Sequence, residues 1–261
     1  MTYGSKQYGR AARHIDPKQC TVGATALYLE CREGICNEFT SMTKEQWKDN
    51  PHWFDIKFLA DVNGVGCNTK DEMKSDTYGG DKVRQHLKAL SLPMNKVLHL
   101  GGNVGTRTLD CMEVDVAEIK RMGQWNQSIY KKAYSSKLPM TAIRRLAGFD
   151  AADGMHFNTR TTIEPPEDLI KMTSLGFLST NMIEQFTDEE ASAHPTAWGV
   201  LNWFRELSTI LIQDLAALQV QDPDHSLGSL EHEFLFIRTD QFGVSLNAFV
   251  ISTDLLPTNQ C

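Results

Sequence analysis

The sequence predicts a mainly α-helical protein, and three observations predict it. Val200, Leu201, Phe204, Leu207, Leu211, Leu215 and Leu218 recur at helical spacing through the longest segment without a helix breaker. Between His99 and Phe149, helix starts and stops follow one another closely. Strand signals are confined to a Gly- and Tyr-rich segment at residues 3–15, which predicts a short hairpin.

In chain order, Asp16-Pro17 marks a turn after that hairpin, and Thr21 caps a helix that carries Val22, Ala26 and Leu29 on one side. Trp47, Trp53, Phe54, Ile56 and Phe58 make an aromatic strip that closes a core edge, with base stacking as its rival role. A polar loop is expected at residues 61–70, then an amphipathic helix from Asp81 to Leu90 with Val83, Leu87 and Leu90 on one side, ended by Pro93. Asp115 and Glu118 have capping-box spacing, and Gly123 stands where a left-handed stop belongs. Asn126 caps the next helix, with Ile129, Tyr130 and Tyr134, and Pro139 opens another. Residues 151–162 read as a linker, Pro165-Pro166 start a helix, and Thr196 caps the longest helix, which Pro223 terminates.

Composition places the chain among globular proteins, at 41% hydrophobic and 23% charged residues. Its length of 261 residues allows one large domain or two small ones. A net charge of −7 argues against nucleic acid only as an average. Residues 1–150 hold 22 Lys and Arg against 17 Asp and Glu, whereas residues 151–261 hold 4 against 16. The expected organisation is therefore a basic part, 1–150, and an acidic helical part, 151–261, packed on it as one continuous domain. Six scattered cysteines without paired metal spacing and no signal peptide suggest an intracellular, reduced protein that holds no metal. No apolar run approaches the roughly 20 residues needed to span a bilayer.

From Ile119 to Phe149 there is no acidic residue, while Lys120, Arg121, Lys131, Lys132, Lys137, Arg144 and Arg145 are basic. Helices of one charge sign with interleaved aromatics have the character of a phosphate-facing surface. The same stretch carries a resemblance. His99, Trp125 and Tyr134 have the order of the closing half of a tyrosine-recombinase catalytic domain, in which the tyrosine follows the Gly-x-(His/Trp) turn by nine residues, as Tyr134 follows Trp125. Met122-Gly123-Gln124-Trp125-Asn126, Lys137-Leu138-Pro139 and Ala147-Gly148-Phe149 resemble a run in one family in particular. That family is the DNA-binding second domain of the fungal centromere-binding kinetochore subunit, related to Crypton-type recombinases. Arg13-His14, Asp16-Pro17, Cys20, Val22-Gly23-Ala24, the stretch Trp53 to Leu59, and the pattern from Glu164-Pro165-Pro166 to Pro223-Asp224-His225 extend the resemblance over nearly the whole chain.

The resemblance implies a recombinase-like helical core with a small hairpin or sheet and a helical carboxy-terminal extension. It also implies duplex DNA as partner, with a second copy of the chain and other chromatin or kinetochore proteins, in the nucleus. Recombinase chemistry needs arginines on the scissile phosphate, because stabilising a pentacoordinate phosphorus is mostly electrostatic work. At the box arginine stands Gly102, and the first arginine would lie upstream of Lys6. Arg107, eight residues after His99, would have to bend back to substitute. Without those arginines Tyr134 keeps an ordinary pKa of about 10 and lacks activation.

Lys6, Arg10, Arg13, His99, Lys120, Arg121, Trp125, Lys131, Lys132, Tyr134, Lys137, Arg144 and Arg145 are therefore the expected DNA-contacting residues. Each has a plainer reading. Lys6 is a phosphate contact or a solvated tip, Trp125 a phosphate donor or a core wedge, and His99 a phosphate donor or a satisfied core histidine. No P-loop, nucleophile elbow, zinc-protease or dinucleotide fingerprint competes, and no cofactor is expected. Two rival readings stand beside DNA binding without catalysis: an active Crypton-like recombinase, and a protein-interaction module with a vestigial DNA surface.

Overall fold

The computed structural model describes residues 11–49, 56, 61–63, 66–68, 78–89, 100–122, 140–149, 158–222, 245–246 and 248–250. These residues are mainly helical, and they group into two compact units. Unit 1 is residues 1–22 with 79–158, and unit 2 is residues 23–78 with 159–261. Each is assembled from two sequence segments, so residues 23–78 group with the acidic carboxy-terminal part.

In unit 2 the organising element is the expected long helix. Helices α1 (Thr21–Cys36) and α2 (Lys44–Lys48) come first in the chain, and the strand pair β1 (Asp61–Asn63) and β2 (Gly66–Asn68) follows. Helices α3 (Tyr78–Ala89), α4 (Leu100–Cys111), α5 (Val116–Met122) and α6 (Met140–Leu146) come next. After them stand α7 (Glu167–Met172), α8 (Ser174–Ile183), α9 (Asp188–Ala193) and α10 (Pro195–Gln221). Leu201, Phe204, Leu207, Leu211, Leu215 and Leu218 of α10 are buried, as the stripe predicts. Its start differs from expectation. Pro195 occupies the first turn with His194 at the N-cap, so Thr196 lies inside the helix. Proline suits that position because its missing N–H has no intrahelical acceptor there anyway.

Trp47 is fully buried, stacks on Phe39 at 5.9 Å and meets Phe204 edge-on at 6.3 Å, which settles it as core. Three charged residues of α1 are buried as well, and each has a partner. The Glu30 carboxylate accepts the N–H groups of Ser174 and Leu175, the open donors at the start of α8. Glu33 accepts those of Phe39 and Thr40, at 3.2 and 2.7 Å. Arg32 pairs with Glu38 at 2.6 Å. Burial pushes both the Glu30 and the Glu33 carboxyl above the ordinary range, against the pull of those donors.

Several expectations are corrected. Residues 61–70 contain a two-stranded antiparallel ladder pairing Asp61 with Asn68 and Val62 with Cys67, in place of the expected polar loop. Residues 11–15 form no strand, and the rest of the hairpin expected at 3–15 lies outside the described residues. Val83 is 45% exposed, so α3 does not bury the expected side there. Cys36 is disulfide-bonded, whereas Cys20, Cys31 and Cys111 are free thiols. The far end of the expected linker is anchored. Thr159–Thr162 is a 3-10 turn whose Arg160 is buried and bonds Asp214 of α10 at 3.0 Å, while Gln213 donates to the Ile163 carbonyl.

In unit 1, α4, α5 and α6 share a core of Leu109, Val114, Ile119 and Ala142, with Met112, Met122 and Leu146 packed against it. Asp115 caps α5 by accepting from the Ala117 N–H at 2.7 Å. Glu118 is not the return arm of a capping box to Asp115. It accepts from the Ala142 N–H at the start of α6, at 3.0 Å. Helix α6 ends in a Schellman motif, with Gly148 N–H donating to the Arg145 carbonyl and Phe149 N–H to that of Arg144. Gly148 has φ +83°, and a Cβ there would stand 2.8 Å from Ile15 and 3.0 Å from the His14 ring. The Ile15 N–H donates to the Ala147 carbonyl, and the Asn158 amide donates to the His14 carbonyl at 3.2 Å. The Ala147-Gly148-Phe149 and Arg13-His14 motifs are thus two sides of one junction.

Two outcomes are expected from this packing. Arg160→Met leaves the Asp214 carboxylate buried without its guanidinium and should lower stability by roughly 3–5 kcal/mol in urea unfolding, with much of it recovered in Arg160→Met, Asp214→Leu. Unchanged stability in the single variant would refute a structural role for the pair. Gly148→Ala should cost roughly 1–2 kcal/mol for the left-handed backbone and about 1–3 kcal/mol more for overpacking on Ile15 and His14. Thermal unfolding at wild-type temperature would show that the junction is not strained by a side chain.

Candidate nucleic-acid interface

The site is built on the unit 1 junction. Arg144 and Arg145 stand in the last turn of α6, where a cation is favoured by the partial negative charge of the helix end. Both are half-buried. The segment carrying Arg13, also half-buried, is brought to the end of the same helix through Ile15 and His14. The His14 ring Nδ1 accepts from the Asp16 N–H at 2.9 Å, which orients the ring against Gly148. Lys120 is exposed on α5 next to Ile119, which anchors that helix in the core.

Glu118 shapes the local electrostatics. It is the last acid before the acid-free run 119–149, and its carboxylate is engaged at the α6 N-terminus. A negative charge is favoured there. Arg107 is exposed on α4, the helix that also contains Gly102. Five positions separate the two, which places them about 140° apart around the helix. Arg107 therefore does not present itself on the face of position 102.

Of the residues expected to touch DNA, the structure brings Arg13 together with the helix carrying Arg144 and Arg145, and places Lys120 on the helix packed beside it. Arg121 lies in α5 and Gly102 in α4. Lys6, Arg10, His99, Trp125, Lys131, Lys132, Tyr134 and Lys137 lie outside the described residues, as do the helix stop expected at Gly123 and the cap expected at Asn126. Sequence reasoning misses His14 as a positioning residue. Its neighbourhood to Gly148 joins residues more than a hundred positions apart, and no local signal carries that.

Grouping the residues by unit sharpens the charge separation. Unit 1 contains 16 Lys and Arg against 8 Asp and Glu, a formal +8, and unit 2 contains 10 against 25, a formal −15. Among the described residues there is no group of His, Cys, Asp and Glu arranged to hold a metal ion, and no helix is long and apolar enough to cross a membrane.

The family model described as centromere DNA-binding protein complex CBF3 subunit, domain 2, matches residues 2–233, and so takes in segments of both units. No curated protein and no solved structure matches the chain. On the strength of a match over most of its length, the chain belongs to the family of domain 2 of the centromere DNA-binding protein complex CBF3 subunit.

Proposed function

We propose that this chain binds double-stranded DNA through the basic surface of unit 1, with little sequence preference, and performs no strand chemistry. The observation that carries the reading is the segregation of charge, +8 in unit 1 against −15 in unit 2. A polyanion is attracted by the first and repelled by the second. The family's description as a centromere DNA-binding subunit supports the same partner, and with it a nuclear, chromosome-bound setting among kinetochore proteins. Association of two copies is part of the same proposal.

The fold is read as a tyrosine-recombinase-like core without its chemistry. Support comes from Gly102 at the box arginine and from Arg107 standing on another face of α4. Phosphoryl transfer without bidentate guanidinium groups forfeits the main stabilisation of the transition state. The expected result is that supercoiled and nicked DNA are neither cleaved nor trapped. A covalent DNA adduct on Tyr134, detected by mass spectrometry, would restore the recombinase reading.

Binding is tested by salt dependence. Removing one cation from a phosphate lowers the slope of log K against log salt by roughly 0.9. Lys131→Ala, Lys132→Ala should weaken binding equally on two unrelated duplexes and reduce the slope by up to about 2, read by fluorescence anisotropy. An unchanged slope and affinity would make these lysines an ordinary solvated face.

A further inference from the structure

Unit 2 carries a surface that DNA binding does not use. Every Lys and Arg of unit 2 among the described residues already has a carboxylate. Arg32 pairs with Glu38, Lys44 and Lys48 with Glu190, Arg160 with Asp214, Lys171 with Glu184, and Arg205 with Glu167. Among the described residues of unit 2, the surplus acid is left without a counter-charge. Asp188 and Glu189 on α9 and Glu206 on α10 are exposed and make no ion pair among the described residues.

Glu206 belongs to an outward strip of α10. Gly199, Asn202, Trp203 and Glu206 are all exposed, and at 100° per residue they fall within about 100° of one another. Trp203 is 39% exposed, a large aromatic left in water on a helix whose other side is core. Gly199 sits inside a 27-residue helix, where glycine is the poorest residue short of proline. A Cβ built on it meets nothing within 4 Å, so the fold itself does not require a glycine there. What the glycine provides is an unobstructed helix surface one turn before the indole. Helix α9 packs against α10 and adds its carboxylates to the same helix pair.

We infer that this strip docks a Lys- and Arg-rich segment of another protein. An apolar side chain of that segment packs on Trp203 over Gly199, and its cations face Glu206 and the α9 carboxylates. A nucleic acid is excluded from this face by the sign of the field. An apolar ligand alone would leave the unpaired acid unexplained. The aromatic anchor with a charged surround has the composition of an interface centre and its rim.

The test uses the full chain and two short fluorescent peptides, one of Lys and Leu and one of Glu and Leu, both at helical spacing. The Lys peptide should bind and the Glu peptide should not. Trp203→Ala and Gly199→Leu should each weaken that binding about ten-fold or more, with duplex DNA binding unchanged. Gly199→Leu should at the same time raise the melting temperature, since leucine is the better helix former and has open space. Weaker binding in a more stable variant cannot come from misfolding. Peptide affinity unaffected by both substitutions would overturn the inference. So would a dimer in sedimentation velocity that Trp203→Ala dissolves while the peptide fails to bind, because the occupant would then be a second copy of the chain.

Discussion

A chain of net charge −7 can face a polyanion only if its carboxylates are kept off the surface that does the binding. That constraint runs through both units. In unit 1 the acid-free run from Ile119 to Phe149 is preceded by Glu118, and the α6 N-terminus engages that carboxylate. The cations of the run have no acid among them in the sequence. In unit 2 the described cations are all held in ion pairs, and acid outnumbers base in the unit as a whole.

Unit 2 tolerates its acidity because much of it is used structurally. Glu30 and Glu33 are almost wholly buried, and each accepts two backbone N–H groups that no helix partner serves. Glu190, reached by Lys44 and Lys48, has its carboxyl pulled down to about 2 by those two ammonium groups. These bonds fix α1 and α2 against the segments that flank α10. The apolar stripe of α10 then supplies the burial that the ion pairs cannot, since exposed pairs are worth little individually.

Periodicity and termini are what the sequence makes legible. The α10 stripe and the helix start after Pro165-Pro166 are local signals, and each has the expected physical outcome. Partners far apart in sequence are not legible. Glu118 has capping-box spacing from Asp115, yet bonds 24 residues away, because the Ala142 amide is an open helix donor brought near by the shared core. Charged residues such as Glu30, Arg32 and Glu33 read as surface in a sequence, and only the fold reveals the donors and the carboxylate that let them be buried. Strands of three residues, as at 61–63 and 66–68, are too short to display alternation. The proposed DNA-contacting set is legible as a cluster of one sign. Its division from the acidic unit is not, because residues 23–78 precede the basic helices in the chain and group with the acidic segment in the fold.

The claim that the basic unit is the DNA-binding one is tested most directly by lysine-reactive labelling of the whole chain, with and without duplex DNA, read peptide by peptide by mass spectrometry. Lys120, Lys131, Lys132 and Lys137 should become less reactive when DNA is bound, while Lys44, Lys48 and Lys171 keep their reactivity. Protection of the second group, or of neither, would contradict the assignment.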